Sequence, residues 1–408
     1  MTPDWVFLIF IAMFGACVGS FLNVVIYRLP AGLSLVTPPS RCPSCEHKLK
    51  SYENVPVLGW LWLGGKCRAC KAPISVQYPL IEALTAAIFA GCFVLFYVVD
   101  GWREPLGSTG FGFVETWPVF VVWVVMLAGL LAATLIDARH FIIPLQIPWT
   151  ITVVALVGLP LGVAFGKPPA SALGQSIGFE PFVPYVGQTG AMIAWGGAVG
   201  LLIANALLWL GVLPDSFEGE VEDALDDDGE VPPLKHPRLV ALKELMFVGF
   251  PLLGMLVGHF LAVRGVIDQS AMGQSPWYYA LAGCVLGYLV GGGVIWMIRI
   301  LGTLGFGKEA MGLGDVHLLA AIGAVLGWHE SVFLCIFISP FLGLAVTLVL
   351  AVVAAAKKGP ARVIPYGPYL AAGAVVVLVI GSANADVIDL YRHFMADLIS
   401  GAKQLFVP

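Results

Sequence analysis

Long apolar runs broken by short polar segments set the pattern of this chain. Runs near 5–27, 79–99, 117–136, 147–166, 189–213, 244–264, 277–300, 315–328, 331–356 and 364–382 are nearly free of charge. A helix needs about 20 mostly apolar residues to cross a hydrocarbon core. The pattern therefore predicts ten membrane-spanning helices, the eighth short and carrying His317. The first run does not read as a cleaved export signal, because the opening MTPD has no basic residue and no A-x-A site follows. FGAC at 14–17 is a faint lipoprotein-box match that lacks the same basic start.

Composition agrees with this pattern. Of 408 residues, 59% are hydrophobic and 12% charged, and the mean hydropathy is +0.90. Soluble domains carry about 25% charged residues, so this chain turns its apolar surface to lipid. Lys and Arg collect in cytoplasmic loops, and here seven lie in loop 28–78: Arg28, Arg41, Lys48, Lys50, Lys66, Arg68 and Lys71. Arg139, Lys308 (just after Arg299), and Lys357, Lys358 and Arg362 mark further basic loops. With ten spans these alternate correctly when both termini lie outside and loop 28–78 is cytosolic. The net charge of −5 sits largely in 214–243, where nine acidic residues oppose Lys235, Arg238 and Lys243. That stretch lacks the alternating spacing of a calcium loop and reads as a solvated tether. Nothing in the chain predicts a nucleic-acid partner.

Eight cysteines form two groups. Cys17, Cys92, Cys284 and Cys335 stand singly in apolar runs and read as small buried hydrophobes. Cys42-Pro-Ser-Cys45 and Cys67-Arg-Ala-Cys70 are two C-x2-C pairs, 21 residues apart, in the polar loop. At that spacing four thiolates can close a tetrahedron around one zinc, and a reducing cytosol disfavours disulfides. The neighbouring Lys and Arg residues favour ionised thiols. Four free cysteines is the plainer alternative. Four thiolates would leave a bound zinc no open position, so its role would be structural. The predicted fold class is thus an all-α polytopic integral membrane protein with a small cytosolic zinc-ribbon-like module.

Two carboxylates complete the chemistry. The third run ends TLIDARHFIIP, with Asp137 at its cytosolic end, and the eighth begins MGLGDVHLLAAIG, with Asp315 at its cytosolic start. Opposite chain directions predict one depth and one side for both. Two adjacent carboxyls share a proton, so one can activate water while the other polarises a carbonyl. Gly312 and Gly314 remove side chains beside Asp315 and would admit a peptide backbone. The plainer reading makes each aspartate a helix cap or interfacial charge. His140 and His317 read as interfacial polar groups rather than catalytic partners.

These segments resemble the type IV prepilin peptidases, membrane aspartyl proteases with a G-x-G-D motif. The likeness starts at Gly19-Ser20-Phe21-Leu22-Asn23-Val24 and Tyr27-Arg28-Leu29-Pro30, and continues through 41–82. It resumes at IDARHFIIP, ALAGCVLGYLVGGG, EAMGLGDVHLLAAIGAVLGW and IPYGPYLAAGA, covering roughly half the chain in order. The resemblance implies cleavage of prepilins and pseudopilins after a short basic leader, in the bacterial inner membrane, with the active site facing the cytosol. It assigns catalysis to Asp137 and Asp315 and metal ligation to Cys42, Cys45, Cys67 and Cys70. It also implies N-methylation with S-adenosylmethionine in many members, an activity with no residue motif of its own in this chain. Leu145 stands where the family usually has a polar residue and His317 where it commonly has lysine. Those departures bear on substrate preference and pH optimum.

The organisation read from the sequence is a first helix at 1–27, a cytosolic zinc-binding loop at 28–78, and helices with the first aspartate at 79–164. A two-span insert without a matched counterpart follows at 165–276. Residues 277–382 carry the G-x-G-D region, and 383–408 form a tail. Two other classes compete with the peptidase: a proton-coupled transporter using both aspartates as a relay, and a non-catalytic scaffold of a pilus or secretion system.

Overall fold

The computed structural model describes residues 4–98, 113–166, 183–214, 236–265, 275–328, 330–357 and 365–383. The acidic residues Asp215–Glu230 and the tail from 385 lie outside them. Among the described residues all ten apolar runs are helices: α1 (Asp4–Arg28), α2 (Gln77–Tyr97), α3 (Phe113–His140), α4 (Gln146–Gly166), α5 (Gln188–Trp209), α6 (Pro237–Val263), α7 (Pro276–Phe306), α8 (Leu313–Leu326), α9 (Glu330–Lys357) and α10 (Gly367–Ala383). This is the fold of a multi-pass membrane protein. No strand occurs among the described residues, only two isolated bridges in the polar loop.

Two of the ten expected spans fall short of a full crossing, the eighth among them as expected. Among the described residues eight helices are long and apolar enough to cross a membrane, whereas Leu313–Leu326 and Gly367–Val379 are shorter apolar segments. The 14 residues of α8 extend roughly 21 Å at 1.5 Å per residue, well under the core thickness of about 30 Å. A correction concerns Arg299. It does not flank a loop: α7 continues to Phe306, and the Arg299 side chain is 2% exposed.

The chain divides into two compact units, residues 1–147 and 148–408. In the first, α1 packs along α2, and both touch α3. A Cβ placed on Gly15 would come 2.9 Å from Phe89, and one on Gly19 would come 2.7 Å from the Glu82 backbone. Glycine is needed at both positions so that the two backbones can approach. Asn23 then ties the pair together, its Nδ2 donating to the carbonyls of Gly19 (3.3 Å) and Tyr78 (3.1 Å).

In the second unit the same device recurs twice. Gly196 and Gly254 face each other across α5 and α6, where an added Cβ on either would collide with the other's carbonyl oxygen. Gly287 on α7 and Gly323 on α8 are related in the same way. One buried ion pair joins α6 to α7. Arg299 Nη2 lies 3.1 Å from Glu244 Oε1, its Nε lies 3.2 and 3.3 Å from the two carboxylate oxygens, and Trp296 Nε1 donates to Oε2 at 2.9 Å. Removing one partner of such a pair strands a buried charge, at a cost of roughly 3–5 kcal/mol.

The glycine contacts carry a direct test. Gly254→Leu should destabilise the second unit by about 1–3 kcal/mol through overpacking, read as the denaturation midpoint in detergent. Gly249 lies on the same helix, and a Cβ added there would meet nothing within 4 Å. Gly249→Leu should therefore stay within about 0.5 kcal/mol of wild type. Equal effects at the two positions would contradict the close approach of α5 and α6.

Candidate active site and metal centre

The two cysteine pairs fold as matching hairpins. Cys42 N donates to His47 O and Glu46 N to Cys42 O; in the second hairpin Cys67 N donates to Ala72 O and Lys71 N to Cys67 O. The residue after each second cysteine, Glu46 or Lys71, takes a left-handed backbone, with φ of 56° and 60°. This turn aims both sulfurs of a pair the same way. All four Sγ atoms lie within 4.8 Å of one another, with Cys42–Cys70 at 3.8 Å and Cys45–Cys67 at 3.9 Å. Zinc–sulfur bonds of about 2.3 Å in a tetrahedron separate sulfurs by about 3.8 Å, so the donor set fits zinc.

Electrostatics at the sulfurs point the same way, by a cause other than the one the basic residues suggested. Backbone N–H groups of Ser44 and Cys45 hold the Cys42 thiol down to about 6. Those of Cys70 and Ala69 lower Cys67. At Cys45 the N–H of His47 also lowers, but desolvation and the neighbouring sulfurs of Cys70, Cys42 and Cys67 outweigh it and push the thiol up to about 12. Four adjacent thiols cannot all ionise without a cation among them, and backbone donors prepare the sulfurs to meet one.

One buried acid steadies the module from within and another, on α2, seats it. Glu53 accepts the Lys50 N–H at 2.9 Å, which is the main cause of its lowered pKa, and His47 and Arg68 lie 3.5 and 3.6 Å from its carboxylate. Glu82, on α2, accepts the Val57 N–H at 2.6 Å. Between α1, α2 and the module lies a cavity of about 670 Å³, lined in part by Asn23, Arg28, His47, Glu53, Trp60 and Glu82.

The aspartates fall one in each unit. Asp137 is buried, 4% exposed, in the last turn of α3. Its carbonyl accepts the N–H of Phe141 at 2.9 Å, and Phe141 ends the helix at φ 57°, a conformation that bulky residues seldom adopt. Asp315 is buried, 8% exposed, in the first turn of α8. Gly312, the residue that caps α8, has φ −71°, so conformation does not demand glycine there. Nor does space: a Cβ would stand 3.9 Å from Asp315 Oδ2, an ordinary contact, so what glycine gives here is a bare approach to the carboxyl. Gly314 is half-buried beside it. Tyr366 is a further neighbour, near Ser339 and close enough to feel the Asp315 charge.

Residues 13–96 match the Bacterial Peptidase A24 N-terminal domain, and residues 246–348 match the Type IV leader peptidase family. A relative from Myxococcus xanthus is 33% identical over 337 residues, spanning 72% of this chain and 92% of that protein. The chain belongs to the type IV leader peptidase family. Relatives from Aeromonas hydrophila and Pseudomonas aeruginosa are 26% and 28% identical, covering 93% and 90% of this chain and 92% and 89% of theirs. All three are named prepilin leader peptidase/N-methyltransferase. No solved structure matches the chain.

Membership makes this leader peptidase an enzyme that hydrolyses peptide bonds. The family match begins at 246, inside α6, and so takes in part of the stretch read as an insert. Sequence reasoning did not find Glu82, Glu53 or Tyr366. For Glu82 and Tyr366 the one signal was a lone acid or phenol inside an otherwise apolar run, and Glu53 in the polar loop had none.

The metal centre yields its own test. Purified full-length protein should carry about one zinc per chain. Cys42→Ser with Cys67→Ser should release it and speed hydrogen exchange across 41–73. Metal retained in the double variant would show that the four sulfurs are not the ligands.

Proposed function

We propose that this chain is an aspartic endopeptidase of the bacterial inner membrane, removing the basic leader of type IV prepilins and pseudopilins at the cytosolic face. Asp137 and Asp315 are the catalytic residues in this reading. The observation that carries it is the buried Asp315 carboxylate with the side-chain-free Gly312 beside it, in a chain of the leader peptidase family. Seven basic residues in loop 28–78 support the cytosolic placement.

Hydrolysis by such a pair needs one ionised and one protonated carboxyl. The ionised group takes a proton from water as its oxygen attacks the scissile carbonyl carbon. The protonated group gives its proton to the carbonyl oxygen, and a tetrahedral diol forms. Collapse breaks the C–N bond: the carboxyl that took the water proton gives it to the nitrogen, while the other carboxylate takes a hydroxyl proton from the diol. The leader leaves with a new carboxyl end, the mature chain with a new amine, and the pair regains one proton for the next cycle.

The new amine is the substrate for the second activity in the names of the relatives, and S-adenosylmethionine would supply its methyl group. The cavity in the first unit suits such a ligand. Its volume lies within the range of small-molecule sites, roughly 300–1,000 Å³. Glu53 and Glu82 offer negative charge, and Trp60 an aromatic face, to a sulfonium. Four thiolates leave zinc coordinatively closed, so it holds the module in shape and takes no part in hydrolysis.

Asp137→Asn and Asp315→Asn, each alone, should lower cleavage of a prepilin-like peptide by about a thousandfold while leaving membrane insertion unchanged. Near-normal cleavage by either variant would end the assignment. After metal removal, Cys42 and Cys67 should react with an impermeant maleimide in inside-out but not right-side-out vesicles. The opposite pattern would place the module outside the cell and reverse the topology.

A further inference from the structure

Arg299 does more than join two helices. Its Nε and Nη2 face Glu244 on α6, whereas Nη1 turns the other way, toward the connection between α7 and α8. There it donates to the Glu309 carboxylate and to the backbone carbonyl of Met311. Met311 directly precedes Gly312, the residue that caps α8, and Asp315 follows in the first turn. A third bond holds the same connection, from Ala310 N to Thr303 Oγ1 at 3.2 Å.

This connection has reason to be held. Gly307 leaves α7 at φ 67°, and Gly312 and Gly314 follow within seven residues. A segment so rich in glycine loses much backbone entropy on ordering and does not stiffen itself. An arginine suits the task because its planar fork serves several acceptors at once, whereas a lysine ammonium cannot span them. The arrangement is also asymmetric in charge and burial. Glu244 is 2% exposed and balances the guanidinium inside the protein, whereas Glu309 is 37% exposed and comes from the connection itself. A pair serving only to bind α6 to α7 would be complete with Glu244.

We propose that Arg299, set by Glu244 and engaged by Glu309, is a positioning residue for peptide hydrolysis: it fixes the 307–312 connection and thereby the place of Asp315. The inference rests on the reading of Asp315 as catalytic. In this role Arg299 acts through the backbone it holds.

Glu309 gives the cleaner test, because its removal leaves Arg299 still neutralised by Glu244. In full-length protein cleaving a prepilin-like peptide, Glu309→Ala should lower kcat by about tenfold or more with KM within about threefold. Hydrogen exchange over 307–314 should accelerate, with exchange elsewhere in α6 and α7 unchanged. Glu309→Gln keeps an oxygen acceptor and should stay within about threefold of wild type in kcat, with near-native exchange. Arg299→Lys should resemble Glu309→Ala in both readouts. A Glu309→Ala enzyme with wild-type kcat, or Ala and Gln variants equally impaired at unchanged exchange, would overturn the proposal. If Asp315→Asn cleaves normally, the reading of Asp315 fails by itself, and the exchange data alone then decide whether Arg299 holds the connection.

Discussion

Lipid is as apolar as a leucine side chain, so burial of oily surface does not draw one membrane helix to another. Helices in this chain meet instead where the backbone is bare. Gly15 and Gly19 let α1 lie against α2, Gly196 and Gly254 bring α5 onto α6, and Gly287 and Gly323 seat α8 on α7. Close approach multiplies dispersion contacts, each tiny and collectively large. Polar groups then hold what the glycines admit. Asn23 and Glu82 sit beside the approach at Gly19 and the Arg299–Glu244 pair joins α6 to α7, each bonded to a group on another element.

The cysteine module solves a different problem. Residues 28–76 are too few and too polar to build a core of their own, and small domains of that size lean on metals or disulfides. Here two hairpins from the ends of the loop bring four sulfurs together, while the segment between them supplies Glu53 and the short helix Leu58–Trp62. Gly59 shows how closely that segment is folded: a Cβ there would lie 2.5 Å from the Glu53 carbonyl. Sulfur cluster, acid and tight turn therefore act on one small body whose cavity is shared with α1 and α2.

Much of this was legible in the sequence because its signals are local. Apolar runs of sufficient length can only be helices in lipid, and all ten were found. The C-x2-C spacing fixed the sulfur cluster, since each pair brings its own turn. Asp137 and Asp315 could be placed at helix ends from the flanking residues alone. What escaped was non-local. Glu244 and Arg299 are 55 residues apart, and nothing near either one names its partner. Arg299 instead passed for a charge at the edge of a loop, because a cation near the end of an apolar run usually marks a boundary. Glycine spacing on α1, α5 and α7 was visible but silent, since a small residue acquires meaning only from what lies opposite. The shortness of α8 was legible too, and its end two residues before the apolar run's is set by Gly327, which leaves the helix at φ 92°.

That short helix has a further consequence. Ten of its fourteen residues are buried, Asp315 included, whereas only 6% of the apolar window of α9 is buried. A helix that meets lipid inherits the thickness and fluidity of the bilayer, tilting or shifting as they change. One sheathed by protein does not. α8 is thus a mechanically private element: swelling, thinning or chilling of the membrane acts first on helices such as α9, and the carboxylate at the head of α8 keeps its depth while the solvent around the protein changes.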